Sequence, residues 1–256
     1  MLNLKSIKKL LIIFLALFAL TLAMEERDLT FLGSLAIAIF AAVLIESIIL
    51  YLTTKSIKIT ESSIITGMII GYVLSSDEVW WKFTFAALLA ISSKYLIVFK
   101  KKHIFNPAAF GIFLSTLILG AATQWNGTYI WYVFVPFGIY FAQKIKKTEI
   151  IIGYAIVSLA LFGTQAFFQK VPISNIFGYF SYFYIFIMVI EPKTTPFKPM
   201  AKYLFGAGTA ALIFAFTEVG VRFDAELFSL LLMNIMVILL NKIPLNKACL
   251  SVGREV

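Results

Sequence analysis

The residues able to bind or react are few, and they stand inside or at the ends of apolar runs. Thr66 and Gly67 open one run, Asn106-Pro107 opens another, and Glu191 and Thr194 follow a third; Asn234 lies well inside a fourth. Asn106 is a natural helix N-cap, and Pro107 suits a first turn, where its missing N–H costs nothing. Capping alone explains that pair. Asn234 is different, because an amide without a partner in an apolar surround costs a few kcal/mol. It needs a partner helix or a ligand. Gly67 and Gly71 have the small-xxx-small spacing of close helix packing, or form a thin backbone wall beside a ligand. No catalytic residue and no metal ligands are assigned. One histidine, His103, excludes two-histidine haem ligation by one copy. One cysteine, Cys249, excludes an intrachain disulfide and an iron–sulfur cluster held by one copy.

Two charges also lie within apolar runs. Glu46 is six residues before Leu52, and Lys94 five before Phe99, so both sit roughly 8–9 Å from the same boundary at ~1.5 Å per residue. Three arrangements are open: independent snorkelling, a neutralising pair, or an ion- or proton-path carboxylate at Glu46. Equal depth makes the pair the expectation.

The runs that carry these residues fall at about 8–24, 31–52, 63–75, 83–99, 105–122, 129–143, 149–168, 175–190, 200–218 and 226–241. Hydrophobic residues make up 61% of the 256 and charged residues 14%. That is too little charge for a water-exposed surface, so lipid must surround most of the chain. The expected fold is an all-α integral membrane protein of about ten transmembrane helices. The net charge of +9 is a topology signal in short loops, and no nucleic-acid partner is expected.

With the N-terminus inside, Lys5, Lys8 and Lys9 are inner. So are Lys55, Lys58, Lys100, Lys101, Lys102, Lys144, Lys146, Lys147, Lys193, Lys198, Lys202, Lys242, Lys247 and Arg254. Only Arg27, Lys82, Lys170 and Arg222 are outer. This bias places both termini in the cytoplasm and the chain in the inner (plasma) membrane. Lysines followed by the apolar stretch 10–22 also resemble a secretory signal peptide, but an even split into two halves favours a retained helix.

Ten spans divide into five and five, about 1–122 and 129–256, within a single transmembrane domain. An odd-numbered unit repeated once inserts upside down, giving an inverted repeat. The third span of each half is short and ends in a polar hinge, Ser75-Ser76-Asp77-Glu78 and Glu191-Pro192-Lys193-Thr194-Thr195-Pro196. Such spans point to a central site, although loop punctuation by Pro and Ser explains the hinges equally. Thr66, Gly67, Asn106, Glu191, Thr194 and Asn234 are the polar or small residues at matching places, and they are the expected site. Gly206-Ala207-Gly208-Thr209 spells a dinucleotide-fingerprint variant without the strand that motif needs, so it reads as helix packing. Asn126-Gly127-Thr128 is a glycosylation sequon with no other sign of a eukaryotic secretory route.

Taken together, the motifs resemble the NQR2/RnfD/RnfE family, that of the Rnf complex D subunit and the B subunit of sodium-translocating NADH:quinone reductase. They are the Thr66-Gly67 helix followed by Trp80-Trp81; Lys94 ahead of Phe105-Asn106-Pro107-Ala108; the segment 188–196; and Leu231-Leu232-Met233-Asn234. The similarity spans about 60–242. Phe99-Lys100-Lys101-Lys102 replaces the family's glycine-rich turn. The family's long outer insertion, whose Ser-Gly-Ala-Thr carries covalent FMN, is reduced to 123–128. Gly120-Ala121-Ala122-Thr123 echoes it without the Ser, which argues against covalent FMN on Thr123. The resemblance implies a membrane subunit of a redox-driven electron-transport and ion-translocating complex, with other Rnf/Nqr-like subunits as partners. It leaves room for a non-covalent flavin, FMN or riboflavin, between the repeats. Two further functions fit the same sequence: a non-redox permease or channel for a small solute or flavin, and a scaffold that has lost its cofactor.

Overall fold

The computed structural model describes residues 4–26, 29–100, 102–128, 130–172 and 180–242. Arg27, Lys101, Lys247, Cys249, Arg254 and the start of the 175–190 run lie outside them. The described chain is mostly helical: α1 (Leu4–Glu26), α2 (Thr30–Thr54), α3 (Glu61–Val73), α4 (Trp80–Leu96), α5 (Pro107–Leu119), α6 (Trp131–Lys144), α7 (Thr148–Phe168), a π-helical turn (Tyr184–Met188), α8 (Pro199–Val219) and α9 (Ala225–Leu240). A two-residue hairpin, β1 (Val98–Phe99) and β2 (Lys102–His103), follows α4. It was not expected; the apolar pattern runs through Val98 and Phe99, which leave the helix as an antiparallel pair. Lys100 takes the left-handed conformation at its turn (φ 49°), where glycine would be favoured.

Ten apolar runs thus give ten helical elements, but not ten of spanning length. Four helices, in α1, α2, α7 and α8, are long and apolar enough to cross a membrane; Glu61–Val73, Pro107–Leu119 and Ala225–Leu240 are shorter. Thr60 caps α3, Asn106 caps α5 and Asp224 caps α9, each accepting a bond from the N–H three residues on. These caps start the short helices where the hydrophobic runs alone do not show a boundary.

Small residues set the helix contacts. A Cβ at Gly67 or Gly71 would strike the α2 backbone at Ile39 or Leu35, and one at Gly111 would strike the Ala86 carbonyl of α4. Gly153 and Gly206 meet reciprocally across α7 and α8, against Tyr203 and Ile150. Without a hydrophobic drive between helices in lipid, such close packing is what holds them. Gly206 therefore does the packing expected of it. The pairing order recurs: α2 packs on α4 and α4 on α5, then α7 on α8 and α8 on α9. Likewise α1 packs on α3, and α6 on the π-helical turn.

α1 is part of the packed bundle. Leu15 and Leu22 are fully buried, the Tyr72 hydroxyl donates to the Leu15 carbonyl (2.6 Å), and Phe14 stacks on Phe137 of α6. Phe40, Leu117, Ile156 and Phe167 point outward, as lipid-facing side chains should. Trp80, Trp81, Trp131 and Tyr132 stand exposed at helix starts, in the manner of an interfacial aromatic belt.

Loops assigned to the same side by charge meet one another. At the end expected outside, Ser75 N–H donates to Ala122 (2.9 Å), Gln124 N–H to Val73 (2.8 Å), and Thr123 Oγ1 to Asp224 Oδ2 (3.0 Å). At the end expected inside, Lys147 Nζ donates to the Thr195 and Pro196 carbonyls (3.5 and 2.5 Å), Lys202 Nζ to the Lys146 carbonyl (2.7 Å), and Phe197 N–H to Asn241 Oδ1 (3.3 Å).

Candidate functional site

Four of the six expected site residues form one hydrogen-bonded tie between the two halves. Asn106 Oδ1 caps α5 by accepting from Ala109 N–H (3.1 Å), leaving its own N–H to donate to Asn234 Oδ1 on α9 (2.8 Å). Asn234 Nδ2 donates to the Thr194 carbonyl (3.2 Å), and Asn106 Nδ2 to the Met188 carbonyl at the end of the π-helical turn (3.3 Å). Thr194 Oγ1 donates to Glu191 Oε2 (3.2 Å), and Thr195 Oγ1 to the Glu191 carbonyl (2.7 Å). Asn106, Thr194 and Asn234 are each at most 2% exposed. Each amide therefore both accepts and donates once, joining elements that no local sequence rule connects.

Thr66 donates back to the Ser62 carbonyl in its own helix (2.8 Å), so its hydroxyl can offer only a lone pair to a neighbour. Gly67 faces α2 and does not line the adjacent cavity; its part is packing.

Two voids adjoin the tie. A narrow cavity of about 90 Å³ is lined by Thr66, Asn106 and Glu191, with Leu11 of α1 and Phe141 of α6. A wider cleft of about 550 Å³ holds Thr194 and Asn234, with Phe99, His103 and Phe197. Pro192 and Lys193 line both. Ligand sites for molecules of cofactor size run roughly 300–1,000 Å³, so of these two the wider cleft has room for a three-ring heterocycle. Its aromatic, amide and hydroxyl groups suit such a ligand; the narrow cavity does not.

Lysines rim the cleft at Lys100, Lys102, Lys193 and Lys242. His103 is buried at its floor, and its Nε2 lies 3.5 Å from Glu191 Oε1 without a hydrogen bond to any group. At the opposite end of the bundle a cleft of about 460 Å³ carries carboxylates instead, Asp224 and Glu226. Asp224 caps α9 and accepts from Thr123 Oγ1 and Trp125 Nε1 (3.0 and 3.1 Å). Thr123 is thus pinned by a carboxylate.

A second buried network lies beside α3. Lys94 Nζ is 3.5 Å from Glu46 Oε1, with both side chains at most 6% exposed. The expected pair is formed. Thr60 Oγ1 donates to Glu46 Oε2, Tyr95 Oη to Oε1 (3.2 Å), and Lys94 Nζ to Ser62 Oγ (3.1 Å). Thr60, Ser62 and Tyr95 were not singled out in the sequence; only their neighbourhood to Lys94 and the α3 cap signals them. Lys147 was read as a topology charge alone. In fact it clamps the 191–196 hinge, and burial, with Lys202 nearby, pushes its amine down to about 8.

Residues 114–249 match the family described as the NQR2, RnfD, RnfE family. The matched stretch contains Glu191, Thr194 and Asn234 and begins after Thr66, Gly67 and Asn106. No curated protein matches the chain.

Proposed function

Since this chain belongs to the NQR2, RnfD, RnfE family, we propose that it is the membrane subunit of a redox-driven electron-transport and ion-translocating complex, working beside other membrane subunits of that kind. In this reading it has ten crossings in two inverted five-helix repeats, both termini cytoplasmic, in the plasma membrane. The recurring order of helix contacts and the meeting of like-sided loops support it.

The observation that carries the functional reading is the Asn106–Asn234–Thr194 tie beside a cleft of about 550 Å³. A flavin held there without a covalent bond would supply one- and two-electron chemistry. Phe99 and Phe197 would cover its ring faces, while Thr194 and Asn234 at the inner wall fix its orientation. Asp224 at the other end favours the approach of a cation. Thr123, hydrogen-bonded to Asp224, supports attachment without a phosphoester link.

The second reading is a permease for a small solute or a flavin. The observation favouring it is that the cleft and the narrow cavity share Pro192 and Lys193 as a common wall, the arrangement of a path closed at one strap. Purification in detergent separates the two. A flavin spectrum that leaves with small molecules on denaturation supports the redox subunit. A protein that stays colourless after flavin addition supports a permease for another small solute, or a scaffold.

A further inference from the structure

The lysines of the inner cleft ask for an anion. Lys100 and Lys102 come from the hairpin, Lys193 from the 191–196 hinge, and Lys242 from the end of α9. Inner-side bias explains why lysines are on these loops. It does not by itself explain why four line one cleft whose described lining residues include no carboxylate, Glu191 standing behind the lining at 3.5 Å from His103 Nε2. Like charges drawn together repel, and solvent removes only part of that cost. Among the lining residues His103 is buried, with its Nε2 3.5 Å from Glu191 Oε1. Asn241, whose Oδ1 accepts from Phe197 N–H, adds its amide N–H2 as a neutral donor in the cleft lining.

We infer that this cleft is a phosphate-binding site, taking a phosphate monoester or diester whose oxygens are held by Lys100, Lys102, Lys193 and Lys242. Lysines bind phosphate as point charges through charge-assisted hydrogen bonds. The apolar walls at Phe99, Phe197, Val237 and Ile238 suit an organic group joined to that phosphate. FMN and an anionic phospholipid headgroup present the same chemistry there. The site rests on the cleft alone, and for FMN it deepens the flavin reading: the phosphorylated form is the one retained.

The test uses the full-length protein in detergent and four probes: FMN, riboflavin, inorganic pyrophosphate, and nanodiscs of phosphatidylglycerol against phosphatidylcholine. FMN should bind at least about tenfold tighter than riboflavin by fluorescence quenching. The Lys193→Gln/Lys242→Gln double variant should close that gap, and Lys193→Arg/Lys242→Arg should keep it. These leave the other inner lysines to hold topology, and the arginine pair controls for folding. If neither flavin binds but pyrophosphate or phosphatidylglycerol raises thermal stability in a lysine-dependent way, the phosphate site stands and the flavin reading falls. If FMN and riboflavin bind equally and the lysine variants alter no probe, the phosphate site is overturned and the flavin reading stands. Binding of none of the four overturns both.

Discussion

Removing one partner of the Glu46–Lys94 pair tests the buried network most sharply. The two side chains are 5% and 6% exposed and 3.5 Å apart. Breaking such a pair from one side leaves an uncompensated charge and costs about 3–5 kcal/mol. Glu46→Gln should fall near the lower end, because the Lys94 stem can reach toward the inner surface and Ser62 still accepts its hydrogen bond. Lys94→Gln leaves the carboxylate with the Thr60 and Tyr95 hydroxyls, so it too should cost about 3 kcal/mol. At roughly 2–4 °C per kcal/mol for a chain of this size, each single variant should lose about 6–12 °C in thermal midpoint. The double variant buries no charge at this place and should recover about 1–3 kcal/mol of the summed loss. The assay is thermal unfolding of the detergent-solubilised protein, alongside folded yield. Strictly additive losses would refute the pair. Loss of ion transport in Glu46→Gln at normal stability would make Glu46 a pathway residue.

Asn234→Leu strands two buried backbone groups, the Asn106 N–H and the Thr194 carbonyl, at about 1–3 kcal/mol each; flavin content should fall further than folded yield, and an equal fall would reduce the residue to a structural brace. Gly206→Val should abolish monodisperse protein because the Ile150 carbonyl occupies the space, whereas Gly33→Ala, with nothing within 4 Å, should gain up to ~1 kcal/mol of helix propensity; similar behaviour of the two would contradict the packing account. The Lys147 amine sits near 8 in the folded protein against 10.5 ordinarily, so the unfolded chain binds its proton more tightly. Stability should therefore rise as pH increases from about 8 toward 10.5, and Lys147→Met should remove that rise; an unchanged slope in the variant would assign it elsewhere. In a Cys249→Ser background, Arg222→Cys should react with an impermeant thiol reagent on intact cells and Lys102→Cys only after permeabilisation; the reverse pattern would invert the topology.

Much of this was legible because lipid imposes a strict pattern on sequence. Apolar runs located every helical element, and Asn106-Pro107 gave the start of α5 outright. Equal depth made the pairing of Glu46 with Lys94 the expectation, and the packing of α2 on α4 realises it. What stayed hidden depends on which helices meet. Nothing local tells that Asn234 accepts from a backbone N–H 128 residues earlier, or that Gly67 faces α2 instead of a cavity. The hairpin at 98–103 was masked because Val98 and Phe99 are as apolar as the helix before them. Lys147 and the cleft lysines were masked by the topology signal, since one lysine can both orient a loop and hold a carbonyl or an anion.

The most direct test of the redox reading is the visible spectrum of the protein purified in detergent, before and after denaturation and filtration. The account predicts a flavin spectrum in the native protein, passing entirely into the filtrate and leaving no fluorescent band on a denaturing gel. A preparation that is colourless, and stays so after FMN is added, would contradict it.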